Sequence, residues 1–471
     1  MAAPSPSAPG VLLRKNYLSA VENVAQSIGT MGPVATIGTV LPLLIYKSGN
    51  GTWLLFLGVL AAFWLISKSI NVFATRFASA GSLSAYADAG LGSWVGSLTG
   101  WSYAVAMIFV VTSSAVSAAF YVAVVVNHFT HAAIGTTGLA LLTVLVVGAA
   151  WWPSHHDIKL STKLMLAAEA SSVLLILFIL GAALVRSHQW VDRAQLHLEG
   201  AGFPQYQLGF VLAFMTLSGF ESMTTLGEEA KTATSTLPRV MKLCLLPVAL
   251  LFVASIYCLT ALSHHLNLAL DQTAAPLDLV AQSIGLPTLG WLSSLGIAVS
   301  CFGCALGGFN AGSRVLFSMA RGRQMWRYFE AIHPRNGTPY RALALLAAIA
   351  AVVPVVMLGL GVAMADAMDY LMQIATFGFL GGYLAVCVAA PVYLAAQSRL
   401  RAGAVLVAVA TVAIIGAVYV MSLIPVPDAP WRYLPYIFAA LIVAGMAISR
   451  SARGGRPQGA APGAAGAKPA A

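Results

Sequence analysis

The sequence has 471 residues, of which 59% are hydrophobic and only 8% are charged. An ordinary soluble domain, in which roughly a quarter of the residues are charged, is excluded by this composition. Largely apolar stretches recur along the chain, each long enough to cross a bilayer core about 30 Å thick as a helix. Because backbone groups in lipid must be hydrogen-bonded within their own segment, we predict an all-α membrane protein.

Polar and charged breaks divide the apolar stretches into about 12 predicted transmembrane helices. These spans lie near residues 21–46, 51–74, 94–126, 135–152, 164–185, 206–228, 243–262, 287–318, 342–362, 367–395, 403–425 and 432–449. The Ala-, Pro- and Gly-rich ends, residues 1–20 and 450–471, are expected to be disordered cytoplasmic tails. The first apolar stretch is too long for the core of a signal peptide, so no cleaved signal is predicted.

The basic residues predict the orientation of the chain. Most Lys and Arg lie at the two ends and in alternate loops, whereas the intervening loops carry few, among them Lys47 and Arg432. Because basic loops stay in the cytoplasm, both termini are expected inside the cell, in its plasma (inner) membrane. This bias accounts for the net charge of +10, and no motif supports nucleic-acid binding.

Cysteines and histidines do not form a predicted metal or redox site. Cys301 and Cys304 are spaced as CxxC, but they lie on a face rich in Gly, Ala and Ser, which is typical of close helix packing. The pairs His155–His156 and His264–His265 have no further ligands at metal spacing. Neither a cofactor nor an enzymatic nucleophile with its base is predicted.

Glycines interrupt two apolar spans in corresponding positions. The first span reads "SIGTMGPVATIG" and the sixth reads "FMTLSGFESM". These spans open two five-span segments, residues 21–185 and 206–395, while residues 403–449 form two further spans. An odd number of spans per segment makes the second segment inverted relative to the first. Paired interruptions of this kind predict a substrate site at the middle of the membrane in a transporter.

Four segments resemble the amino acid–polyamine–organocation (APC) superfamily, the amino-acid permeases. They are "TRFASAGSLSAYADAGLGSWVGSLTGW" before the third span, "GFESMTTLGEEAKTATSTLPR" after the sixth break, "APLDLV" before the eighth span and "SRVLFSMARGRQMWRYFEAIHPRNGTP" after it. The resemblance implies a 5+5 inverted-repeat (LeuT-like) core with broken helices 1 and 6, two peripheral helices and alternating access. The family commonly has Gly-x-Gly in the first span, whereas Gly29 and Gly32 here are separated by two residues.

This resemblance implies a permease, not an enzyme, that moves an amino acid across the membrane. A carboxylate at membrane depth, Glu169, favours symport coupled to H⁺. An exchanger, a carrier of polyamines or other amines, and Na⁺ coupling remain alternatives. A non-transporting nutrient receptor on the same scaffold is the alternative from another class. The oligomeric state is not predicted.

The residues at the two breaks are the predicted substrate-binding site. A substrate carboxylate is expected at the start of the second half of span 1, where Pro33 suits the first helical turn. Carbonyl groups at the end of the first half of span 6 are expected to accept hydrogen bonds from the substrate ammonium, with Gly219 as the hinge. The predicted binding residues are Gly29, Thr30, Met31, Gly32, Phe214, Met215, Thr216, Leu217 and Gly219.

Two carboxylates at membrane depth are predicted to serve coupling or gating. Glu221 is expected to begin a second α-helical half of span 6, from which Thr224, Thr225 and Glu228 form a polar stripe along the cytoplasmic pathway.

Glu169 in span 5 stands where many relatives carry a lysine, and it is the candidate proton carrier, with a substrate amine or Na⁺ as alternative partners. Tyr103 and Phe220 are candidate gating aromatics, and Asp369 is expected near the external vestibule. Glu229 is expected to be solvated, and Lys68 to extend toward the cytoplasmic interface.

Overall fold

The computed structural model describes residues 13–454 apart from 189, 201, 271, 272, 274, 425 and 427. Within these residues the chain is helical, and the only β-pairing is an isolated bridge between Leu18 and Ala230. The α-helices are α1 (Ala20–Met31), α2 (Pro33–Thr39), α3 (Leu41–Ser48), α4 (Thr52–Ala74), α5 (Leu83–Leu91), α6 (Ser93–Thr130), α7 (Thr136–His156), α8 (Ile158–Ser187), α9 (Arg193–Leu196), α10 (Phe203–Thr216), α11 (Ala233–Leu266), α12 (Pro276–Ser283), α13 (Pro287–Arg321), α14 (Tyr340–Gly359), α15 (Met364–Ala396), α16 (Ala402–Leu423) and α17 (Leu434–Gly454). Short 3-10 helices cover Ser222–Leu226, Arg327–Glu330 and Trp431–Tyr433.

Ten helices in the described part of the chain are long and apolar enough to cross a membrane. The predicted first span is an eleventh candidate, because Ala20–Thr39 and Leu41–Ser48 pass the same test together despite a bend of 52° between them. The predicted sixth span is not among them, because α10 has only 14 residues before the chain leaves the helix. The described residues therefore hold ten or eleven candidate spans. The bent first span contains a predicted glycine break, and α10 ends just before the other one.

The first span is interrupted at Gly32 and bends again at Val40. Gly32 adopts a left-handed conformation (φ 53°), and Pro33 begins α2, as predicted for a residue that lacks an N–H. The sharper change of direction follows Thr39, where Pro42 in the first turn of α3 cannot donate to the preceding turn. The carbonyl of Gly38 accepts a hydrogen bond from the Tyr121 hydroxyl at 3.3 Å instead.

The sixth span is interrupted between Thr216 and Ser222. Gly219 has φ 94°, a conformation that favours glycine. The prediction that a second α-helical half begins at Glu221 is wrong, because Ser222–Leu226 is a single short 3-10 helix. Thr224 and Thr225 donate side-chain hydrogen bonds to carbonyls three residues back, at 2.7 and 2.6 Å, which competes with a regular α-helix.

Helices α6 and α13 form the centre of the bundle, and most of their length is buried, whereas α7, α16 and α17 face outward. Small residues let the two central helices approach closely. A Cβ atom at Gly308 would lie 2.6 Å from Val111 Cγ2, and one at Gly312 would lie 3.0 Å from Met107 Cβ. The Gly-rich face around Cys304 therefore packs against neighbouring helices, as the sequence indicated.

Residues 13–19 lie within the predicted N-terminal tail but are folded against the helices. Leu18 is fully buried, and the N–H groups of Tyr17 and Leu18 donate to the carbonyl of Glu229 at 2.8 and 2.9 Å. Leu13 packs in a cluster with Ala80, Phe317 and Ile332. We call the side of the bundle on which residues 13–19 lie the N-terminal face. At the other end, α17 continues to Gly454, so residues 450–454 of the predicted C-terminal tail are helical. Residues 1–12 and 455–471 lie outside the described residues.

Gly308→Ala is expected to lower the midpoint of thermal unfolding in detergent, because the added methyl group meets the stiff Val111 side chain and costs roughly 1–3 kcal/mol. Gly181→Ala on the exposed side of α8 is the matched control, since nothing lies within 4 Å of its added Cβ. It is expected to leave the midpoint unchanged or slightly higher. Equal midpoints for the two variants would contradict close packing of α6 on α13.

Candidate functional site

A cavity of about 120 Å³ lies beside the two helix breaks. This is roughly eight to twelve times the smallest volume that holds a water molecule, room for a small solute. Its wall is contributed by α1 to α3, α6, α10, α13 and α15, together with Trp431. Polar lining residues include Thr30, Thr36, Thr216 and Gln373. The cavity therefore combines hydrogen-bonding groups with an apolar wall, as small-molecule sites do.

Five of the predicted binding residues line this cavity and four do not. The lining residues are Thr30, Met31, Gly32, Met215 and Thr216. The four residues behind the lining are Gly29, Phe214, Leu217 and Gly219.

Each of these four has another close neighbour or is fully buried. A Cβ at Gly29 would collide with Met165 Cε of α8, so this glycine permits packing of α1 on α8. Phe214 is fully buried against Phe63, with ring centroids 4.7 Å apart. Leu217 is likewise fully buried.

Gly32 brings the first break into contact with α13. Its left-handed backbone and the proximity of Cys304 leave no room for a side chain, because a Cβ would collide with Cys304 Sγ. The N–H of Gly32 is already used, since it donates to the Ile28 carbonyl at 3.0 Å. Gly32 thus shapes the cavity through its lack of a side chain.

Gly219 joins the second break to Glu221 through a tyrosine of α15. The N–H of Gly219 donates to the Tyr383 hydroxyl at 3.1 Å, and that hydroxyl donates to Glu221 Oε2 at 2.6 Å. Glu221 is fully buried and does not line the cavity. Tyr383 therefore stabilises both a backbone group released by the break and the buried carboxylate.

The two predicted gating aromatics are also buried behind the cavity. Phe220 packs edge-on against Phe63, with centroids 5.4 Å apart, and lies 6.1 Å from the ring of Tyr383. Tyr103 packs against Phe379, which lines the cavity, with centroids 6.1 Å apart. Among the described residues the Tyr103 hydroxyl has no hydrogen-bond partner. Tyr103 therefore reaches the cavity through Phe379, and Phe220 is itself a residue of the second break.

Glu169 lies at the start of α2, next to the first break. Its Oε1 accepts a hydrogen bond from the Ser300 hydroxyl at 2.6 Å, and that hydroxyl accepts one from the Ala35 N–H at 2.9 Å. The glutamate is 2% exposed, and its Oε2 has no partner among the described residues. Ser300 and Glu169 therefore cover the positive end of this helix.

A buried polar network that the sequence did not predict lies between Thr30 and the N-terminal face. The Gln26 side chain donates to the Gly307 carbonyl at 2.9 Å and to Thr30 Oγ1 at 3.2 Å. Asn310 donates to Gln26 Oε1 at 3.2 Å, and Ser222 donates to Thr30 Oγ1 at 3.0 Å. This network connects both breaks to α13. Its members are uncharged and scattered in sequence, so only the fold brings them together.

The N-terminal side of the site is closed by an ion pair between Glu229 and Arg314. Arg314 Nε lies 2.5 Å from Glu229 Oε2 and its Nη2 lies 3.1 Å from Oε1, with both side chains at most 1% exposed. The prediction of a solvated Glu229 is wrong, because α13 places a buried guanidinium beside it. A lone Arg within the apolar eighth span was the signal that could have indicated this pair.

The predicted polar stripe after Glu221 is divided among separate partners. Thr224 hydrogen-bonds to Ser82, and Glu228 forms an ion pair with Arg321 and accepts from the Ala80 N–H at 3.1 Å. In a 3-10 helix the side chains do not follow the α-helical spacing that defined the stripe. The contacts with Ser82 and Ala80 hold residues 224–228 against the loop after α4.

A sequence model of the amino acid permease family matches residues 23–449. The chain is 26% identical over 347 residues to an uncharacterised transporter of Mycobacterium tuberculosis, covering 72% of this chain and 73% of the relative. It is 35% identical over 115 residues to an uncharacterised transporter of Rhizobium meliloti, covering 24% and 22%. It is 25% identical over 171 residues to the branched-chain amino acid permease BcaP of Bacillus subtilis, covering 36% and 35%. The family match includes both helix breaks and the cavity.

Glu229→Gln is expected to lower the free energy of unfolding by about 3–5 kcal/mol, because it leaves a buried guanidinium without its counter-charge. Replacing both partners, Glu229→Gln with Arg314→Met, is expected to cost less than the sum of the single replacements. Denaturant unfolding in detergent measures these differences. Glu330→Gln, in the exposed pair with Arg327, is the control and is expected to cost at most about 1 kcal/mol. Additive effects would contradict a coupled pair.

Proposed function

Since the chain belongs to the amino acid permease family and is an integral multi-pass membrane protein, we propose that it is a secondary active transporter for an amino acid, working by alternating access. The observation that carries this proposal is a cavity bounded by two interrupted helices. Such helices offer backbone polar groups at membrane depth, which an unbroken span does not. The cavity wall includes Met31, Val110 and Met372, which suit an aliphatic side chain. Branched-chain amino acids, for which the Bacillus subtilis relative is named, are therefore the first substrates to test.

In the proposed arrangement, residues 21–185 and 206–395 are two inverted repeats and residues 403–449 are peripheral. Two features support it. Each repeat begins with an interrupted helix, and α16 and α17 face outward along most of their length. With the basic N-terminal face in the cytoplasm, the plasma (inner) membrane is the expected location.

Alternating access requires that the N-terminal face open and close. In the structure the cavity extends from Thr30 along α2 and α3 to Leu43 and Trp431, away from that face. On the other side of Thr30 lie the Gln26 network and the buried Glu229–Arg314 pair. Opening this side would separate the segment after the second break from α13. The proposed cycle therefore breaks and remakes this ion pair.

We assign the substrate's two charged ends to the two breaks. The carboxylate is placed at Met31 and Gly32, where binding would replace the hydrogen bond of the Gly32 N–H to the Ile28 carbonyl. The ammonium is placed against carbonyls at Met215 and Thr216, the last residues of α10. Gly219 is the hinge that lets the second half of the broken span move, consistent with its left-handed backbone.

Glu169 is the proposed proton carrier. It is buried, it has one carboxylate oxygen without a partner in the described chain, and it is bound to the first break through Ser300. Protonation would remove a negative charge from the start of α2 and change how that helix is held against α13. A coupling group needs this link between its charge and a moving element.

An organic amine without a carboxylate is the second candidate substrate. Asp369 is the only carboxylate that lines the cavity, and no Lys, Arg or His does so among the described residues. The positive end of α2 is already covered by Ser300 and Glu169. A cationic amine would find a counter-charge in this cavity, whereas a substrate carboxylate would depend on uncharged donors, from the backbone and from side chains such as Thr30 and Gln373.

Purified protein in liposomes is expected to accumulate one or more amino acids when an inward proton gradient is imposed without Na⁺. Uptake of radiolabelled amino acids, each competed by the amine that its decarboxylation gives, measures transport and substrate class together. Stronger competition by the amines would favour the second candidate. Saturable binding without uptake under any gradient would contradict transport and favour a nutrient receptor.

Glu169→Gln is expected to bind and exchange substrate but to lose accumulation driven by protons, because the amide mimics a permanently neutral carboxyl group. Glu221→Gln is the matched control, a buried carboxylate hydrogen-bonded to Tyr383, and is expected to lower rate or stability without uncoupling. Full proton-driven accumulation by Glu169→Gln would contradict its role. A strict requirement for Na⁺ would replace proton coupling by Na⁺ coupling.

A further inference from the structure

A groove on the N-terminal face has no role in the proposed transport cycle. It has a volume of about 900 Å³ and lies between the ends of α4 and α15, the loop 397–401 and the start of α16. The residue Ala80, in the segment after α4, packs against Leu13, which places this end of α4 on the N-terminal face. The groove shares no lining residue with the cavity at the helix breaks.

Positive charge is concentrated in this groove. Four of its thirteen lining residues are Lys or Arg and none is Asp or Glu, in a chain of which only 8% is charged. The four are Lys68, Arg76, Arg399 and Arg401. Within the described part of the chain none of them forms an ion pair with a carboxylate. A smaller groove of about 310 Å³ on α4 shares Lys68 and adds Lys242.

The rest of the groove wall is mostly apolar, with Ser69 and Ser398 as its other polar residues, and it includes the outward-facing helix α16. Val72, Leu394 and Val407 contribute this wall. On α16, Leu406 and Val409 are largely exposed, as expected of a helix that contacts lipid chains. Cations at the bundle's end beside an apolar wall that continues into the membrane match a phospholipid, with its anionic head group and acyl chains.

We propose that this groove binds an anionic phospholipid, with the phosphate held by Lys68, Arg399 and Arg401 and an acyl chain lying along α16. Basic grooves between transmembrane helices on the cytoplasmic side attract anionic head groups, by about 1 kcal/mol per Lys or Arg near the surface. Bound there, the lipid links the outward-facing α16 to α4 and α15. This site is independent of the substrate and of the coupling ion.

The test uses the delipidated full-length protein in detergent, titrated with dioleoyl phosphatidylglycerol or dioleoyl phosphatidylcholine and followed by native mass spectrometry. Phosphatidylglycerol is expected to bind at least tenfold more tightly than phosphatidylcholine. The triple variant Lys68→Gln, Arg399→Gln, Arg401→Gln is expected to weaken phosphatidylglycerol binding about a hundredfold. The control Lys163→Gln, Arg239→Gln, Arg450→Gln removes three exposed charges outside the groove and is expected to bind as the parent does.

Equal binding of the two lipids, or equal loss in both triple variants, would overturn the proposal. Glycerol 1-phosphate distinguishes a lipid from a soluble anion, and binding of it as tight as that of phosphatidylglycerol would also overturn it. The single variant Arg401→Gln, at an exposed loop position, is expected to weaken binding about fivefold and guards against misfolding of the triple variant. Unchanged affinity in this variant would count against Arg401 as a phosphate ligand.

Discussion

The structure depends on how backbone groups are hydrogen-bonded where two helices break inside the bundle. A helix that stops at membrane depth releases N–H and C=O groups that have no water to bind, and each unpaired group costs several kcal/mol. Here other helices supply the partners. Ser300 of α13 accepts from the Ala35 N–H at the first break, and Tyr383 of α15 accepts from the Gly219 N–H at the second. The same contacts hold the buried carboxylates of Glu169 and Glu221, so charge and backbone are linked at both breaks.

The two helix breaks also determine the position of the cavity and the contacts at the N-terminal face. Because the breaks turn Met31, Gly32 and the end of α10 toward the same space, the bundle keeps a cavity with polar groups in an apolar wall, which continuous helices would have filled. The residues that continue from the second break carry Glu229 into contact with Arg314 of α13. Residues 219–229 therefore connect the second break directly to the ion pair. This is the structural basis on which alternating access is proposed for this member of the amino acid permease family.

The membrane-protein class, the family and the position of both helix breaks could be predicted from the sequence. The length of the apolar stretches, the Gly and Pro residues within them and the four motifs in order are all local signals. The family resemblance is confirmed by the match over residues 23–449. The local geometry after the second break could not be predicted, since Thr224 and Thr225 select a 3-10 helix through side-chain hydrogen bonds to nearby carbonyls. The burial of Glu229 and the network around Gln26 depend on contacts between residues far apart in the sequence. The periodicity of apolar residues along a helix does not indicate such contacts. Gly29 illustrates the same limit, because its neighbour Met165 lies on another helix.

The central claim is that the cavity beside the two breaks is where substrate binds, and its own cysteines allow a direct measurement. Cys301 and Cys304 line the cavity, whereas Cys258 on α11 is partly exposed and does not. Alkylation by N-ethylmaleimide is followed peptide by peptide with mass spectrometry, with and without a saturating concentration of a transported amino acid. Substrate is predicted to slow alkylation of Cys304 several-fold and to leave the rate at Cys258 unchanged. A transported substrate that leaves Cys304 as reactive as before would contradict binding in this cavity.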